Sequence, residues 1–100
     1  MDTGIAADMI DSFAHKGLQD LFETGNKSGV TPHLAQKLLD ILDLLEAADN
    51  IEDMGSRPGA DLHPWKGVKN VWSVRVTGNW RMVFKFQNGI AHDVDLVDPH

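Results

Sequence analysis

Cysteine is absent from the 100 residues, which excludes disulfides, thiolate nucleophiles and Cys-ligated zinc or iron–sulfur centres. Tyrosine is absent as well. No apolar run approaches the ~18 residues of a membrane-spanning helix. The opening Met1-Asp2-Thr3-Gly4 lacks the basic and apolar regions of a secretory signal. No P-loop, G-x-S-x-G, H-E-x-x-H or G-x-G-x-x-G string occurs, so the common signatures of nucleotide, serine-hydrolase and zinc chemistry are missing. What remains is globular in composition, with 42% hydrophobic and 24% charged residues, in a length that suits one domain. The expectation is a soluble cytoplasmic protein, with residues 1–8 a small acidic extension and residues 9–100 a single domain.

The net charge of −6 argues against phosphate partners, because binding them depends on Lys and Arg. Its distribution argues otherwise. Residues 1–56 carry three lysines against eleven acids, a charge of −8. Residues 57–85 carry Arg57, Lys66, Lys69, Arg75, Arg81 and Lys85 against Asp61 alone, a charge of +5. The remainder carries only Asp93, Asp95 and Asp98. A basic third is embedded in an acidic protein, either as a solvated face or as an anion-binding one.

The periodicity predicts an α+β fold. Ile10 to His15 reads as a short strand. Gly17 to Thr24 reads as a helix with Leu18, Leu21 and Phe22 on one face and Gly25 just past its end. Thr31 and Pro32 open a second, amphipathic helix in which Leu34, Leu38, Ile41, Leu45 and Ala48 recur at helical spacing. Residues 49–64 are irregular. The period then changes to two, and Trp72–Val76, Trp80–Phe86 and Ile90–Leu96 read as three strands of an antiparallel meander. The two helices are expected to cover one face of this small sheet.

Alternation also constrains register, since cross-strand partners share a face. Loops of three residues, 77–79 and 87–89, keep apolar residues opposite apolar ones: Val74 with Met82, Trp72 with Phe84, Phe84 with His92 and Trp80 with Leu96. On the other face Arg75 falls opposite Arg81, and Arg81 opposite Asp95. Two like charges in direct opposition are destabilising, so either Asp95 neutralises them or an anion does; a phosphate suits the guanidinium fork.

Five histidines sit in different settings. His15 and His33 read as exposed, and His92 as a core or rim residue beside Phe84. That placement also separates His92 from Asp93 and Asp95 and argues against a metal site; no metal or cofactor is expected. His63 lies in Leu62-His63-Pro64-Trp65-Lys66-Gly67 where the basic segment begins, and His100 ends the chain two residues after Asp98. Two imidazoles can serve as base and acid in metal-independent RNA cleavage while cations hold the phosphate. His63, Asp98 and His100, with Lys66, Lys69, Arg75 and Arg81, supply that inventory.

Several strings carry a family resemblance: Met9-Ile10-Asp11-Ser12-Phe13, Leu21-Phe22-Glu23-Thr24-Gly25, Leu62-His63-Pro64-Trp65-Lys66-Gly67, Trp72-Ser73-Val74-Arg75-Val76-Thr77-Gly78-Asn79-Trp80-Arg81 and Asp93-Val94-Asp95 with Asp98-Pro99-His100. Together they resemble HigB-type toxins of the RelE/ParE superfamily over residues 9–100. The resemblance implies a RelE-like fold and a bacterial mRNA endonuclease that acts on translating ribosomes. It also implies a helix-turn-helix (HigA-like) antitoxin, which would connect the protein to operator DNA only indirectly. The family's loop histidine and lysine fall on His63 and Lys66, and its phosphate-facing arginines on Arg75 and Arg81. Its terminal Asp-Tyr-His becomes Asp98-Pro99-His100 here. Proline fixes its own φ and restricts Asp98, which aims His100 differently.

Three readings follow. The first is a ribosome-dependent mRNA interferase. The second is a toxin-like protein weakened by the tyrosine-to-proline change, acting mainly as antitoxin partner and operon co-repressor. The third, from the superfamily's other branch, is a gyrase poison.

Overall fold

A computed structural model describes residues 9–98. Helix α1 spans Lys16–Thr24. Its N-terminus is closed by His15, whose Nδ1 accepts the Leu18 backbone N–H at 3.1 Å. His15 is therefore a helix cap, which its reading as a merely exposed residue overlooked. Leu18 and Leu21 are buried on the inner face. The loop after α1 comes so close that a Cβ on Gly17 would stand 2.1 Å from the Gly29 carbonyl oxygen.

Pro32–Leu34 form a 3-10 turn, and helix α2 continues from it over Ala35–Ala47. Proline starts this segment as expected, but Thr31 makes no side-chain cap. The apolar stripe is the core: Leu38, Ile41, Leu42 and Leu45 are inaccessible to solvent. A second 3-10 turn, Ile51–Gly55, lies in the stretch expected to be irregular. It is capped reciprocally by Asn50 and Asp53 and buries Met54.

The sheet comprises β1 (His63–Pro64), β2 (Val71–Thr77), β3 (Trp80–Gln87) and β4 (Ile90–Val97), antiparallel and in that spatial order. Its inner face carries Val74, Met82, Phe84, Phe86, Ala91 and Val94 against the helical leucines. The α+β architecture, with two helices against one face of an antiparallel meander, is the expected one. The N-terminal segment is a looser element than the strand predicted there. Ile10 and Phe13 make isolated parallel bridges to Ala91 and Val94 on β4, and Asp11 N–H donates to the Ala91 carbonyl at 2.8 Å.

Both hairpin turns differ from expectation in an informative way. In the first, Thr77 pairs with Trp80 across a two-residue turn, and β2 then shifts by one residue between Thr77 and Arg75. Beyond that bulge Val74 faces Met82, Trp72 faces Phe84 and Arg75 faces Arg81, as predicted. A two-residue turn plus one bulged residue yields the same register as a three-residue loop.

In the second hairpin the turn is Asn88-Gly89, with φ of 55° and 75°, the left-handed pair that two-residue hairpins require. Gln87 therefore pairs with Ile90, Phe86 with Ala91 and Lys85 with His92. The shift comes later, between Val83 and Lys85, where β4 carries the extra residue and Asp93 adopts φ 53°. This overturns three expectations. His92 lies on the open face beside Lys85, away from Phe84; Leu96 faces Met82 in place of Trp80; and Arg81 faces Val97, while Asp95 faces Val83.

Candidate active site on the open face of the sheet

The face turned away from the helices is ordered in cross-strand rows. His63 pairs with Ser73, Ser73 with Val83 and Val83 with Asp95. In the neighbouring row, two residues along each strand, Arg75 pairs with Arg81 and Arg81 with Val97. Rows so related are about 7 Å apart. The sheet thus brings His63, Arg75 and Arg81 onto one surface, and the chain leaves β4 at Asp98, one residue past the arginine row. Pro99 and His100 lie outside the described residues.

Lys66 and Lys69 are placed differently. They occupy the β1–β2 connection, at the opposite end of β2 from Arg75. Lys66 and Gly67 have φ of 49° and 70°, and the Val68 N–H donates to the Trp65 carbonyl across them at 2.9 Å. The Lys66 ammonium sits 5.0 Å from the Trp65 ring centroid, a cation–π contact that holds its position. The lysines and arginines therefore flank His63 from opposite sides.

The like-charge opposition of Arg75 and Arg81 is relieved by a residue that sequence reasoning passed over. Asp95, the expected partner, accepts the Leu96 backbone N–H at 2.8 Å. The carboxylate that meets Arg81 is Asp61. Arg81 Nη1 donates to Asp61 Oδ2 at 3.1 Å and Nη2 to the Asp61 carbonyl oxygen. Arg81 Nε donates to the hydroxyl of buried Ser73 at 2.9 Å. With its side chain 15% exposed, Arg81 is a fixed, charge-compensated guanidinium.

Asp61 reaches it from the loop before β1. The Arg75 N–H donates to the Ala60 carbonyl at 2.7 Å, Ala60 is buried, and Asp61 itself adopts φ 47°, which aspartate tolerates better than most residues. The same residue contacts His63, whose Nδ1 lies 2.9 Å from the Asp61 carbonyl oxygen and 3.3 Å from Oδ1. A carbonyl oxygen only accepts, so Nδ1 carries the hydrogen and Nε2 of the neutral ring holds the lone pair. The one available signal for Asp61 was its isolation as the sole acid of residues 57–85, two positions before His63.

His92 makes a separate contact, with Nδ1 3.1 Å from Asp11 Oδ2. Among the described residues no three His, Asp or Glu side chains are gathered as metal ligands, and no helix is long and apolar enough to cross a membrane.

A two-helix layer on one face of an antiparallel meander, with His and Arg displayed on the other, is the architecture of a RelE-like toxin. Residues 11–100 match the family model described as the RelE-like toxin HigB of type II toxin–antitoxin systems, and the chain belongs to that family. Its partner class is accordingly an antitoxin. The chain is 41% identical to the Endoribonuclease HigB of Proteus vulgaris over 93 residues, covering 92% of this chain and 100% of that protein. It is 29% identical to Toxin HigB-1 of Vibrio cholerae serotype O1 over 90 residues, 88% of this chain and 94% of that one. An uncharacterized protein of Haemophilus influenzae is 31% identical over 74 residues, 73% of this chain and 72% of its own length.

Proposed function

We propose that this toxin is an endoribonuclease that cleaves mRNA on translating ribosomes in the bacterial cytoplasm. A helix-turn-helix antitoxin of the HigA type would hold it in check and carry it to operator DNA. The observation that supports this reading best is the anchoring of His63 and Arg81 on one residue, Asp61. That contact sets an imidazole with its Nε2 lone pair available beside a fixed guanidinium.

In the reaction His63 Nε2 takes the proton of the ribose 2′-hydroxyl, and O2′ bonds to phosphorus. The P–O5′ bond then breaks, and His100, supported by Asp98, gives a proton to the leaving 5′-oxygen. The products are a 2′,3′-cyclic phosphate and a 5′-hydroxyl. Arg75 and Arg81, with Lys66 and Lys69 from the other side, stabilise the charge that builds on the pentacovalent phosphate.

The engagement of Arg81 by Asp61 also favours a second reading, in which a catalytically weakened toxin serves as antitoxin partner and co-repressor. Induction without antitoxin separates the two. With wild type, translation should stop and new mRNA 5′ ends should arise inside coding regions, and His63→Ala should abolish both. Unchanged messages and normal growth, with the protein folded, would rule out the nuclease and leave the antitoxin partner.

A further inference from the structure

The basic third does not end at the sheet face. A groove of about 230 Å³ runs between α2, the loop before β1 and the end of β2. Lys37, Arg57 and Arg75 line it, one cation from each of these three elements, with Gly59 and Gly78 at its sides and, among the described residues, no Asp or Glu in its walls. Lys37 belongs to the otherwise acidic first half of the sequence, so only the folded chain adds it to the basic segment.

Arg57 is the informative member. The residue is partly buried, and its guanidinium is held in place by donating to the Arg75 carbonyl oxygen. Burial pushes this group below its ordinary range, because withdrawing a cation from water disfavours the charged form. Among the described residues none of Lys37, Arg57 and Arg75 is ion-paired with a carboxylate. Arg81, by contrast, has Asp61. A guanidinium taken partly out of water and fixed by a carbonyl still has donors to offer an anion. The walls place two further cations around it.

We propose that this groove is a second phosphate subsite, which grips the RNA backbone beside the phosphate undergoing cleavage. Arg75 links the two, since it lines the groove and also pairs with Arg81 on the sheet face. A strand lying across the arginine row therefore passes from a cation paired with Asp61 to cations that, among the described residues, have no carboxylate partner. The proposal rests on the reading of the sheet face as an RNA site, and it adds Lys37 and Arg57 to the residues that hold the substrate.

The test uses the full-length protein and a short single-stranded RNA, 2′-O-methylated so that it cannot be cleaved. Affinity is measured by fluorescence anisotropy across a salt series. Each backbone phosphate neutralised contributes about 0.7 to the slope of log K against log salt. Lys37→Ala, on an exposed helix position, should lower that slope by about 0.7, and Lys37→Ala with Arg57→Ala by about 1.4. Inorganic phosphate should compete more weakly in the double variant, where only the cleavage-site cations remain, than in the wild type.

An unchanged slope in a double variant with wild-type thermal stability would overturn the proposal. So would a loss of antitoxin affinity with RNA binding intact, which would assign the groove to an acidic protein segment. The two readings fail separately. The expected slope change with the methylated RNA, together with unmodified mRNA that is never cleaved on ribosomes, overturns only the nuclease. Cleavage that persists with the slope unchanged overturns only the groove.

Discussion

Arg81 and Arg57 come from the same basic segment, and the fold removes both partly from water, yet their surroundings are opposite. Arg81 is held by a hydroxyl, a carbonyl and a carboxylate, whereas Arg57 is held, among the described residues, by a carbonyl. A compensated guanidinium has its geometry set in advance and loses little order when a reacting phosphate arrives. One without a carboxylate partner leaves donors open to a ligand. In the proposed function the first arrangement serves the reacting phosphate and the second captures the backbone beside it.

That contrast can be broken from either end. Arg81→Ala should have the largest effect, lowering single-turnover RNA cleavage on the order of 10²–10³-fold, as loss of one preorganised donor does. A smaller drop would mean that Arg75 alone carries the phosphate. Asp61→Ala should come next. It leaves Arg81 without its carboxylate and, after allowing for the solvent that reaches Asp61, should cost about 1–2 kcal/mol. In a chain this size that is roughly 4–16 °C in Tm.

Asp61→Asn keeps an acceptor and tolerates the left-handed backbone, so its loss should be about half as large by the same thermal measurement. A cleavage rate that rises in Asp61→Asn would show that the carboxylate restrains Arg81 more than it orients it. The smallest effect belongs to the other arginine. Arg57→Met should leave stability within about 0.5 kcal/mol of wild type in urea unfolding, because no charged partner is orphaned. A loss above about 2 kcal/mol there would remove the difference between the two sites.

Much of this molecule was legible before folding was considered. The helical stripe from Leu34 to Ala48, the end of α1 at Gly25 and the pairing of Val74 with Met82 all follow from local period and backbone preference. Alternation also puts Arg75 and Arg81 on the solvent face, whereas His63 stood out only by its loop string at the start of the basic segment.

The failures share one cause. Alternation says which face a residue occupies but not where an extra residue is inserted. The two-residue turn put His92 on the open face, and the bulge at Asp93, four residues past that turn, added the second one-residue shift that takes Asp95 away from Arg81. Only residues after the bulge kept their expected face, with Asp95 and Val97 outward and Val94 and Leu96 inward. Nor does any periodicity describe the loop that delivers Asp61.

Residue order alone therefore determined the elements, the apolar face and the family of this toxin, because these depend on side-chain period and on short strings read in sequence. Only the tertiary structure decided which carboxylate meets Arg81, which nitrogen of His63 faces outward, and that Lys37 joins Arg57 and Arg75 around one groove. The first and last depend on a loop folding back over β2 or a helix packing beside it, contacts between residues some 20 to 40 positions apart. The His63 contact with Asp61, two positions away, depends on the irregular shape of that same loop, which no periodicity encodes.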